Sequence, residues 1–191
     1  MSYLYNLFAG SLEDLSARFD AVDLADGDAV AQTVKELDPE AYEWHELDEE
    51  PLEEGTEGEV VVAGLIQATW VPSPAEVLNR LDWHEEDDFL ARTGKVVSDR
   101  AGSLLGDLFQ AALLGQSPHE WGFRGSLAHA EVVELRDALA EVLPAEVVAG
   151  AASSSSAAPL ADGLPVQQRL AWVHLALSGV PDGLDVAVRL G

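Results

Sequence analysis

Apolar positions along the 191 residues fall into short blocks, some alternating with polar positions and others recurring every three or four residues. Residues 2–8 alternate, with Tyr3, Tyr5 and Leu7 set against Leu4, Asn6 and Phe8, as in a strand with both faces partly covered. Ser11-Leu-Glu-Asp reads as a helix start. Ser11 is placed to cap, Asp14 takes the third helical position, and Leu12, Leu15 and Phe19 follow at helical spacing. Asp26-Gly27 breaks the chain, and Asp28 is expected to cap a second short helix through Val30, Val34 and Leu37 that Pro39 ends. The most β-prone stretch follows, and it predicts a buried strand over 59–70, with a short helix as the alternative.

Further along, Ser73-Pro74-Ala75-Glu76 carries a capping Ser and a first-turn Pro, with Val77, Leu78 and Leu81 as the apolar face of a helix. A second strong helix is expected over 98–114. Leu104, Leu105, Leu108, Phe109, Ala112 and Leu113 face inward there, and Gly115 is the stop. Ser126 is expected to start a third helix, with Leu127, Val132, Val133, Leu135, Leu139 and Val142 on one face and Pro144 after its end. Pro165 opens a fourth through Val166, Leu170, Val173, His174 and Leu177. After a Gly179-Val-Pro-Asp-Gly turn, residues 184–190 alternate like a closing strand. The expectation is therefore an α+β fold: a small mixed sheet with strands near 2–8, 59–70 and 184–190, packed by four to six helices. Residues 1–191 read as one domain carrying an acidic loop at 36–59 and an Ala/Ser-rich loop at 150–159.

Charge changes this picture more than composition does. The hydrophobic fraction of 48% excludes global disorder, but the formal net charge is −25, from 35 acids against 10 bases. Residues 1–88 hold 24 acids and three bases (Arg18, Lys35 and Arg80), whereas residues 89–191 hold 11 acids and seven bases. Between Glu36 and Glu59 there are twelve acids and no base. Adaptation to a salty or generally acidic proteome would load all exposed faces alike, while a binding surface would load one region. The asymmetry favours a surface that attracts a basic protein partner. Direct binding to nucleic acid or anionic lipid is disfavoured, because it requires cations to neutralise phosphates. No apolar run reaches the ~20 residues that span a bilayer. The N-terminus lacks a basic segment before its apolar residues, so it does not read as a secretory signal. With no cysteine there is no disulfide framework or thiolate chemistry, and a reducing cytoplasm fits.

Three stretches occur in a recognisable order. They are the helix from Gly102-Ser-Leu-Leu-Gly-Asp-Leu-Phe to Leu114-Gly115, then Gly122-Phe-Arg-Gly-Ser-Leu-Ala-His-Ala-Glu-Val-Val, then Arg169-Leu-Ala-Trp-Val-His-Leu-Ala-Leu leading into Leu184 to Leu190. With the opening strand and the helix after it, this order is similar to bacterial YfbM-like proteins, a family of unknown function. In that family an all-helical middle ending in Leu-Leu-Gly precedes a capped helix and a last helix–strand pair. The resemblance covers about half the chain, and it does not extend to the acidic 36–59 segment or the Ala/Ser tract. It implies an α+β fold and brings no catalytic residues with it.

The most distinctive polar feature is a near-repeat. Glu43-Trp44-His45-Glu46-Leu47-Asp48 returns as Asp82-Trp83-His84-Glu85-Glu86-Asp87. Together, His45, His84 and the surrounding carboxylates offer donors of the kind that hold Zn²⁺ or Mn²⁺. Neither His-Glu pair has a second His four residues on, so the one-face helical pair of metalloproteases is missing. The plainer reading is that Trp44 and Trp83 anchor solvated acidic loops. Gly-x-Ser-x-Gly, Gly-x-Gly-x-x-Gly and Gly-Lys-Ser/Thr are all absent, which leaves no hydrolase elbow or phosphate cradle, and no cofactor is expected. His119-Glu120-Trp121-Gly122-Phe123-Arg124 reads as a turn in which Arg124 could clamp a carboxylate. His129 reads as exposed in a first helical turn, and His174 as a satisfied, half-buried histidine.

An interaction or inhibitory protein of the immunity type is thus the leading function, an enzyme being the less favoured class. Its expected surface is Glu43, Trp44, Glu46, Asp48, Glu49, Glu50, Trp83, Glu85, Glu86 and Asp87. A metal-dependent hydrolase built on the Trp-His-acid segments and a domain whose acidity is only salt adaptation are the alternatives.

Overall fold

A computed structural model describes residues 5–37, 55–72, 86–116, 123–153 and 166–190. In chain order these form β1 (Tyr5–Gly10), α1 (Leu12–Phe19), α2 (Gly27–Leu37), α3 (Glu57–Thr69), β2 (Val71–Pro72) and α4 (Glu86–Thr93). Then come α5 (Asp99–Gln110), β3 (Phe123–Leu127), α6 (His129–Val142), α7 (Ala145–Ser153), α8 (Val166–Ser178) and β4 (Asp185–Leu190). The strands make one sheet in the order β2-β1-β4-β3 with every pairing antiparallel, not mixed as expected. Eight helical segments cover it among the described residues, and the α+β expectation holds.

Both faces of the sheet are apolar, and each builds its own core. Tyr5 and Leu7 of β1, Val186 and Val188 of β4 and Leu127 of β3 join α4 to α8 in the first core. Tyr5 meets Phe109 edge-on at 5.1 Å, and Phe109 in turn meets Phe89 at 6.1 Å. Phe8, Ala187 and Phe123 look the other way, into a second core with α1, α2 and α3. Phe123 and Leu127 would share a face in a regular strand. The pairing steps from Phe123↔Arg189 to Gly125↔Val188, leaving Arg124 as the extra residue of a bulge, and that shift reverses the alternation. β4, expected as the closing strand of the chain, is the central partner of β1 and β3.

The strand expected over 59–70 is helix α3. Val61 and Leu65, and Val62 with Ile66, are buried at the i, i+4 spacing of a helix packed on the sheet, and thirteen residues is long for a strand. β-branched preference is a weak prior, and burial of this face overrides it. Gly64 faces the Leu37 side chain of α2, where an added Cβ would make ordinary contact at 3.6 Å from Leu37 Cβ. Ser11 caps α1 as expected, its Oγ accepting the Asp14 N–H at 3.1 Å. For α2 the cap is Asp26 rather than Asp28, with Oδ1 accepting from the amides of Asp28 and Ala29. Ser98 caps α5, which stops at Gln110 instead of Leu114. The chain then reverses through Leu113–Gln116, with Leu114 at φ 52° and Gly115 at φ 77°.

The helix expected from Ser126 begins only at His129, because Phe123–Leu127 pair as β3 with Phe123, Gly125 and Leu127 buried. Phe123 and Arg124, expected in a turn, open this strand. Gly125 is obligatory at its place: a Cβ would collide with the carbonyl oxygen of Asp107, where α5 crosses the strand. Gly150–Ser153, expected in a loop, form the last turn of α7, and the ends of the expected acidic loop belong to α2 and α3. Residues 38–54, 154–159 and the helix start at Ser73 lie outside the described residues.

Gly125→Ala is expected to lower the free energy of unfolding by about 1–3 kcal/mol, since helix backbone rather than a side-chain end must give way. Equilibrium urea unfolding measures this, and a wild-type midpoint would show that α5 does not press on the strand as described.

Candidate functional site

β1 and β3 both run antiparallel to β4, so they finish at the same end of the sheet, and each is followed after one residue by a helix. α1 leaves toward one face and α6 toward the other. Their first amides meet over the start of β4: Asp185 Oδ2 accepts the Leu12 N–H at 2.7 Å and Oδ1 accepts the His129 N–H at 2.8 Å. One carboxylate therefore satisfies a first-turn donor of two helices, each at the positive end of its dipole. Where strands end and helices begin is the usual anion site of an open α/β sheet. Here that position is filled by the chain's own Asp185, and an incoming phosphate would meet a like charge. The first turn of α6 is closed further by Glu131, whose Oε2 accepts the Ala128 N–H at 3.1 Å.

His129 stands beside this clasp. It is half-buried rather than exposed, and its Nδ1 is buried with no hydrogen-bond partner among the described residues. His174 is half-buried as expected and satisfied: Nδ1 lies 3.1 Å from the Arg136 carbonyl oxygen, which can only accept, so Nδ1 carries the proton. Glu43, Trp44, His45, Glu46, Asp48, Glu49, Glu50, Trp83, His84 and Glu85 lie outside the described residues, as do His119, Glu120 and Trp121. Glu86 and Asp87 form the first turn of α4. Among the described residues no group of three or more His, Asp or Glu is placed to hold a metal ion, and no helix is long and apolar enough to cross a membrane.

Both layers of the sandwich are anionic among the described residues, and they differ in their share of bases. The described residues from α1 to β2 carry nine acids (Glu13, Asp14, Asp20, Asp23, Asp26, Asp28, Glu36, Glu57 and Glu59) against Arg18 and Lys35. All the Asp residues, with Glu13 and Glu36, are exposed. The remaining described residues, from α4 to β4, carry twelve acids and seven bases. Several of these bases are engaged within their own layer. Arg100 reaches from α5 to α6, where Nε and Nη2 donate to the Glu134 carboxylate at 3.0–3.2 Å and Glu131 stands at 3.6 Å. The hydrogen bonds to Glu134 hold the guanidinium above its ordinary value, so Arg100 is charged at any pH the fold meets. Arg136 pairs with Asp137 at 3.1 Å. Arg189 does cross to the anionic layer, but its Nη1 donates to the neutral Gln67 at 2.9 Å.

Sequence reasoning found the acidic half of the chain but missed Asp185. Its only local sign is a turn, Pro181-Asp-Gly-Leu, ahead of an alternating strand, and the two amides it holds lie 173 and 56 residues away.

Asp185→Ala removes two helix caps at once, so a loss of about 2–4 kcal/mol in unfolding free energy is expected, against about 1 kcal/mol for Ser11→Ala. Comparison of the two variants in guanidinium is the measurement; equal losses would mean that Asp185 does not bridge both helices. Long-range ¹H–¹⁵N correlation on the neutral imidazoles should show His174 protonated on Nδ1, and an Nε2–H signal would contradict the contact to Arg136. Comparison of the chain with protein-family models, with curated proteins and with solved structures finds no match.

Proposed function

We propose that the protein is an interaction or inhibitory protein, of the immunity type, whose α1–α3 layer docks a basic partner. The observation that carries this reading is the segregation of charge: nine acids and two bases on one side of the sheet, twelve and seven in the rest of the described chain. Such a face raises the association rate of a cationic protein and repels nucleic acid and anionic lipid. The acidic segment at 36–59 connects α2 to α3 and would extend the same field, whereas 82–88 runs into α4, whose first turn holds Glu86 and Asp87. Trp44 and Trp83 supply the short-range contacts in this reading. The sheet end adds support, since the usual anion position there is taken by Asp185. A cytoplasmic setting suits a chain without cysteine. A relationship to YfbM-like proteins is proposed from the order of elements alone and bears on the fold, not on the partner.

Salt adaptation is the competing account, and two variants of equal charge separate them. One carries Glu13, Asp20, Asp28 and Glu36→Lys on the proposed docking layer; the other carries Asp137, Glu141, Glu146 and Asp182→Lys, also exposed, on the rest of the molecule. Capture of basic proteins from a lysate should fall at least tenfold for the first variant and less than threefold for the second. Wild-type capture should also weaken as salt shortens the Debye length from ~10 Å to ~3 Å. Equal losses for the two variants, or capture indifferent to salt, would replace a docking face with general acidity.

A further inference from the structure

We draw no further inference here: the strongest candidate, the His129–Asp185 pair where the first turns of α1 and α6 meet over the start of β4, has both leading amides already taken by the Asp185 carboxylate, and the half-buried His129 imidazole beside it is not accompanied by any second sign of a ligand.

Discussion

A single carboxylate joins the two halves of this fold. β4 lies between β1 and β3, and its first residue holds the leading amide of the helix that follows each neighbour. Because those helices pack on opposite faces of the sheet, Asp185 ties the α1–α3 core to the α4–α8 core through oxygens 173 and 56 residues from their donors. Apolar burial supplies most of the driving force on each face. It is non-directional, however, and would accept either helix shifted along the sheet. Two charge-assisted hydrogen bonds from one side chain fix where both helices begin.

The same interaction limits what this end of the sheet can do. Helix amides that converge in an open α/β fold offer a ready place for phosphate, and the chemistry that goes with phosphate depends on those amides being available. Here they are committed to a residue of the chain. The bulge at Arg124 and the close approach of α5 to Gly125 complete the neighbourhood, giving β3 the twist that sends Phe123 and Leu127 into different cores.

How much of this could be read from the sequence follows from the range of each interaction. The caps at Ser11 and Ser98, the apolar stripe of α5, the helical span of α8 and the alternation of β4 are local, and they were legible. α3 was misread because Val60-Val-Val-Ala-Gly-Leu-Ile satisfies a strand and a buried helix equally, and only its partners choose between them. β3 escaped because Arg, Gly and Ser dominate a five-residue strand whose glycine is there to admit a helix backbone. β4 was seen as a strand but not as the centre of the sheet, since that place is set by pairings that reach from Phe123↔Arg189 in β3 to Tyr5↔Leu190 in β1, far beyond local sequence. The charge asymmetry was visible at once. In the described residues part of that asymmetry falls between the layers, with nine acids to two bases from α1 to β2 and twelve to seven from α4 to β4.

Local structure explains the position of many of these acids without explaining their excess. Glu13, Asp14, Asp28, Glu57 and Glu59 sit in first helical turns, where the dipole favours them, and Asp26 caps α2. Such placements are ordinary, but in an ordinary surface helix lysines and arginines three or four residues away balance them. Only Arg18 and Lys35 serve that purpose in the described part of this layer, while the rest of the molecule pairs Arg100 with Glu131 and Glu134 and Arg136 with Asp137. Repulsion among unbalanced carboxylates works against folding. The second core, with Val30, Val34, Val61, Val62, Leu65 and Ile66 buried against the sheet, is what offsets it. The described part of this layer holds two bases for nine acids where the rest holds seven for twelve, and that lower share of bases is the imbalance the proposed basic partner would answer.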